Sequence, residues 1–112
     1  MIAGFLLALL AAPPPPSFPP TEAERAELEA AVSKAESDKG LMAKPERAVF
    51  VKAARWALHY PEEWYAKNWI AKVRRVLAAA GHENGAPATP AGWIATGHWS
   101  DIDDSVQPYA LY

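Results

Sequence analysis

The chain has 112 residues, 51% of them hydrophobic and 21% charged, so it holds one small domain at most and is not disordered throughout. Eleven Lys and Arg against thirteen Asp and Glu leave a net charge of −2, which gives no electrostatic footprint for a nucleic-acid backbone. The absence of Cys excludes disulfides, a thiolate nucleophile and Cys-based zinc sites, and five Trp supply unusual bulk for so short a chain.

Residues 2–12, IAGFLLALLAA, form an uncharged apolar run of signal-peptide length, well short of the roughly 20 residues that span a bilayer. This predicts export to the periplasm or outside the cell, with membrane contact only through an uncleaved leader. The Pro-rich stretch 13–20, PPPPSFPP, follows as an extended polyproline II spacer.

Thr21 and Glu24 have the spacing of a capping box, which predicts a helix over 21–39. Acidic residues crowd its start, Lys34 and Lys39 its end, and Gly40 offers a left-handed stop; Leu28, Ala31, Val32 and Ala35 form a thin apolar stripe. Pro45 and Glu46 open a second helix over 45–60. Val49, Phe50, Ala53, Trp56, Ala57 and Tyr60 are its expected inward face, with Arg47, Lys52 and Arg55 pointing elsewhere. Pro61 ends that helix and starts a third over 62–80, whose stripe is Ala66, Trp69, Ile70, Val73, Leu77 and Ala80, closed by Gly81.

Residues 82–91 read as loop. From Gly92 the periodicity changes to two: Trp93, Ala95, Gly97 and Trp99 alternate with Ile94, Thr96 and His98, a strand over 92–99. A turn at SDIDD leads to a second strand over 105–112, where Pro108 restricts it to a sheet edge or an irregular pairing. The expected fold is therefore mainly α: a three-helix module (residues 21–81) and a C-terminal β-hairpin (92–112). A lone hairpin is marginal in water and needs either further strands or a helix layer to cover it; it is expected to begin a larger sheet.

No motif announces catalysis. His98, Ser100 and Asp101 are too close along a strand to converge as a triad. Asp101, Asp103 and Asp104 lack the Gly and distal Glu of a calcium loop, and His59 and Glu63 are separated by Pro61, so no metal or other cofactor is expected. The aromatic set Trp56, Tyr60, Trp64, Tyr65 and Trp69 around the second bend reads chiefly as core filling, although the adjacent Trp64 and Tyr65 require one ring to face outward. Trp64, Tyr65, Trp93 and Trp99 are the candidate contact surface.

The segments RAVFVKAARWALHYPEEWYAKNWIAKVRRVLAAA and GWIATGHWSDIDDSVQPYALY resemble the N-terminal region of bacterial secreted α/β-hydrolases of the esterase and prolyl-oligopeptidase-like type. The match is most specific at S-V-Q-P-Y, Ser105 to Tyr109; at Asp104 the family commonly has Gly. The resemblance implies a serine-hydrolase domain after Tyr112 as the partner, and no catalytic residue within these 112. The chain is then a non-catalytic accessory segment, fragmentary in itself, that docks on or caps that domain. The alternative is a self-contained exported binding module that uses its exposed Trp and Tyr residues.

Overall fold

The structure is a computed structural model that describes residues 13, 15–83 and 91–111. The leader, most of the 82–91 loop and Tyr112 lie outside the described residues. In chain order the elements are α1 (Glu22–Ser37), the single turn α2 (Lys39–Met42), α3 (Pro45–His59), a 3₁₀ turn (Pro61–Glu63), α4 (Trp69–Ala80), β1 (Ile94–Trp99) and β2 (Val106–Leu111). The chain is thus mainly helical with a two-stranded antiparallel hairpin at its C-terminal end.

Helix α1 begins with the expected capping box. Glu24 N–H donates to Thr21 Oγ1 at 3.2 Å, and Thr21 N–H donates to Glu24 Oε1 at 2.9 Å. It ends at Ser37 rather than Gly40, because Asp38 leaves the helical region and its carboxylate accepts the Leu41 N–H at 3.0 Å. That bond caps α2, inside which Gly40 lies. Leu28 and Val32 are the buried residues of the α1 stripe.

Helix α3 is central, and its orientation departs from expectation. The residues it buries are Ala48, Val49, Val51, Ala54 and Leu58, whereas Trp56 and Tyr60 are exposed. At 100° per residue the buried centre of Val51, Ala54 and Leu58 lies roughly 180° from the aromatic stripe. The small residues Ala48 and Ala54 let neighbouring elements approach closely.

The three cations expected to point away instead reach across to those elements, their stems covering apolar surface. Arg47 Nε donates to Ala80 O at 2.8 Å, an orphan carbonyl at the end of α4, and Lys52 Nζ donates to Val106 O at 2.7 Å. Arg55 pairs with Glu29 and Glu36 of α1, and those carboxylates raise its already high pKa.

The third helix starts at Trp69, not at residue 62. Pro61 has no N–H for the Ala57 carbonyl four residues back; that carbonyl accepts a long bond from Tyr60 N–H at 3.4 Å, and Trp64 adds its Nε1–H at 2.8 Å. Reaching that carbonyl takes Trp64 out of helical geometry (φ −81°, ψ 84°), and one 3₁₀ turn plus a short irregular stretch precede α4. Val73 and Ala80 are buried, with Trp69, Ile70 and Leu77 packed beside the core. Gly81 closes α4 in right-handed, not left-handed, geometry.

The main core gathers Leu28, Val32, Leu41, Val51, Ala54, Leu58, Trp64, Val73 and Ala80. A second cluster of Ala48, Val49 and Val106 fixes the hairpin to α3, with Met42 and Phe50 touching both clusters. Gly97 makes that docking possible. A Cβ there would stand 2.6 Å from Pro45 O and 2.7 Å from Val49 Cβ, so only glycine lets α3 cross β1 at this distance.

Candidate functional site

Two surfaces stand out. Along the outward side of α3 runs an open groove of 570 Å³, lined by Ala53, Trp56, Ala57, Tyr60, Trp64 and Trp69 among others. A 330 Å³ continuation between Val49, Lys52, Ala53, Trp56 and Pro108 carries it to the hairpin. The Trp56 and Tyr60 rings, one turn apart, lie nearly parallel (7°) with centroids 5.4 Å apart. Trp64 and Trp69 stack behind them at 6.2 Å. At the Trp64 end the Pro-rich spacer is tied down: Phe18 N–H donates to Trp64 O at 2.6 Å, and Lys67 Nζ lies 5.7 Å from the centre of the Phe18 ring.

The second surface is the hairpin. Gly97 faces α3, so its even-numbered neighbours on β1, Ile94, Thr96 and His98, face away together with their partners Leu111, Tyr109 and Gln107. Ile94, Tyr109 and Leu111 are exposed there. His98 and Tyr109 rings make the cross-strand contact, 5.6 Å between centroids. The SDIDD turn closes on itself: Ser100 Oγ accepts from Ile102 N–H at 3.2 Å, and Asp103 accepts from the Ser105 hydroxyl at 2.8 Å and from its N–H at 3.3 Å. These bonds, with the Ser105 hydroxyl first, hold the Asp103 carboxyl below its usual pKa. Asp104 adopts φ 53°, the left-handed geometry that glycine takes without cost.

The four residues expected at a contact surface do not gather into one. Trp64 is buried (1% exposed), a correction: its ring packs in the main core and its Nε1–H donates to Ala57 O. Tyr65, its neighbour, faces outward at 50% exposure, as adjacency requires of one of the two. Trp93 and Trp99 are exposed on the hairpin, at 48% and 38%. The structure adds Trp56 and Tyr60, which the periodicity places in the core. Their signal was the competing set Ala48, Val51, Ala54 and Leu58, also spaced at three and four but made of smaller side chains.

Ser100 and Asp103 spend their polar atoms on the turn, and among the described residues no group of three His, Asp or Glu side chains is placed to hold a metal. His59 sits at the end of α3 with its ring edge-on to Trp56 and Tyr60. No helix among the described residues is long and apolar enough to cross a membrane. No family model matches the chain, and neither a curated protein nor a solved structure does.

Proposed function

We propose that this chain is a non-catalytic N-terminal accessory segment of an exported α/β-hydrolase of the esterase or peptidase type, docking on the catalytic domain. The observation that carries this is the uncovered hairpin: one face is fixed to α3 through Gly97 and Val106, while the other leaves Ile94, Tyr109 and Leu111 in solvent. Helix α3 supports the hairpin on one face, and an apolar strip left exposed on the other is the kind of surface on which a partner docks. The resemblance of Ser105 to Tyr109 to secreted hydrolases names the partner. Asp104 supports it, because its left-handed geometry suits the Gly that the family commonly has there. Export rests on the composition of residues 2–12.

Incubating the purified chain with p-nitrophenyl esters tests the proposal. No turnover above buffer is expected; robust turnover that disappears in Ser100→Ala would overturn it. The groove along α3 favours a second reading, a small binding module in which Trp56, Tyr60 and Tyr65 contact a ligand. A shift in Trp fluorescence with added oligosaccharide that is lost in Trp56→Ser would select it.

A further inference from the structure

The open side of α3 carries more than the aromatic groove. At 100° per residue Phe50, Ala53, Trp56, Ala57 and Tyr60 fall within one arc of about 120°, turned away from Arg55 and its partners on α1. Beside Phe50 this side continues into an open depression of 460 Å³, lined by Phe50, Val76 and Ala79 and by Lys72 and Arg75 of α4. Lys72 joins the two hollows: its Nζ lies 5.3 Å from the centre of the Trp69 ring, which lines the groove. Trp56, Tyr60 and Tyr65 are exposed along that groove, so aromatic rings and cations share one surface.

The charge of that surface is uncompensated. From Trp64 to His82 the sequence places Lys67, Lys72, Arg74 and Arg75 and no acid, whereas α1 carries five Glu against two cations. Arg74 pairs with Glu27 of α1 at 3.3 Å. Lys67, Lys72 and Arg75 are exposed, and among the described residues no carboxylate is within ion-pair distance of any of them. Glu46, one turn before Phe50, pairs with neither cation of the depression, and Glu63 stands at the Trp64 end of the groove. A neutral sugar would use the rings and leave these cations idle. An anionic bilayer uses both, because Trp and Tyr settle at headgroup level while Lys and Arg meet lipid phosphates.

The chain also arrives from that side. Behind the apolar residues 2–12, the spacer is fixed at the edge of this surface, by Phe18 N–H on Trp64 O and by Lys67 over the Phe18 ring. Pro13 to Phe18, extended as polyproline II, span roughly 19 Å, so a leader held in a membrane keeps the surface within that reach of the lipid.

We propose that this face of α3 and α4 lies on the surface of a bilayer containing anionic phospholipid. Lys72 and Arg75 take lipid phosphates, and Trp56, Tyr60 and Tyr65 enter the headgroup layer. The contact stands whether or not a hydrolase domain follows, and it leaves the outer face of the hairpin free for such a domain.

The test is sedimentation of the full chain, at physiological salt, with vesicles of phosphatidylcholine alone and with about one-third phosphatidylglycerol. The leader can bind either vesicle but contains no Trp, so quenching of Trp fluorescence by lipids brominated on their acyl chains reports the folded part alone. Anionic vesicles should bind more tightly and quench. Lys72→Gln with Arg75→Gln should weaken that binding about twentyfold, roughly fivefold for each cation, and leave binding to neutral vesicles unchanged. Lys34→Gln with Lys39→Gln, the same charge change at exposed sites of α1 and α2, should alter it less than about twofold. Trp56→Ser should reduce the quenching, and unchanged circular dichroism verifies that each variant is folded. The proposal is overturned if brominated lipid leaves Trp fluorescence unchanged, if neutral and anionic vesicles bind alike, if the two double variants weaken binding equally, or if Trp56 responds to oligosaccharide and not to lipid. Esterase assays do not bear on these outcomes, so failure of the hydrolase reading and failure of this one are separate results.

Discussion

Replacing Gly97 by Ala perturbs the one point on which the placement of the hairpin depends. The added methyl carbon would come to 2.6 Å from the Pro45 carbonyl oxygen, 2.7 Å from Val49 Cβ and 3.2 Å from Val106 Cγ2. The first distance is roughly 0.8 Å short of ordinary contact. Neither of the two nearest atoms is the end of a flexible side chain, so relief requires β1 to move off α3. That movement loosens the buried Val49–Val106 contact and lengthens the Lys52–Val106 hydrogen bond. Overpacking of this kind costs about 1–3 kcal/mol, a large part of what a small domain has. Urea unfolding followed by Trp fluorescence should show the loss, and amide exchange at Thr96 and His98 should accelerate more than exchange in α1. Gly40→Ala is the control, since its Cβ would lie 3.4 Å from Asp38 Oδ1 within a helix, and it should stabilise by about 0.5–1 kcal/mol. Unchanged stability and unchanged exchange in Gly97→Ala would refute the packing of the hairpin on α3.

Three more outcomes are expected. Trp64→Ala removes a buried indole and leaves the Ala57 carbonyl only the long bond from Tyr60 N–H, and should cost about 3–5 kcal/mol in a chemical denaturation curve. Asp104→Gly relieves left-handed geometry and should raise stability by about 1 kcal/mol, measured as a higher urea midpoint; a lower midpoint would contradict the turn geometry. Thr21→Ala should cost about 1 kcal/mol and flatten part of the acid limb of the stability profile. The Thr21 amide and hydroxyl hold the Glu24 carboxyl below its ordinary pKa, so this stabilisation is complete above the ordinary value and lost as pH falls through the folded one. The gap between the denaturant midpoints of parent and variant should therefore narrow as pH drops below about 4 without closing, because the bond from Glu24 N–H to the Thr21 hydroxyl does not titrate.

The order and kind of most elements were legible because local chemistry specifies them: Thr21 with Glu24, Pro45 at a first turn, the two-residue period through Thr96 and Gly97. The face of α3 was not. Its largest apolar side chains, Trp56 and Tyr60, are exposed, and close approach of α1 and α4 selected Ala54, Val51 and Leu58 instead. Size outweighed spacing in reading that helix, and the long stems of Arg47, Lys52 and Arg55 looked solvated although their heads reach Ala80, Val106 and α1. The start of α4 was hidden for a different reason. Pro61 permits a helix to begin, but the Ala57 carbonyl that it cannot bond takes an indole N–H from three residues further on, a side-chain bond that no periodicity displays. Of the candidate surface, adjacency of Trp64 and Tyr65 fixed that one ring faces outward, and core packing with the indole bond to Ala57 O made Trp64 the inward one.

The accessory role is tested most directly by ester hydrolysis from the product of the reading frame as it runs past codon 112, compared at equal molarity with the 112-residue chain. A frame that continues into a G-x-S-x-G segment, with turnover confined to the longer product and abolished by replacing that serine, is the predicted result. A stop after codon 112 in an intact gene, or equal turnover by the short chain, would contradict it.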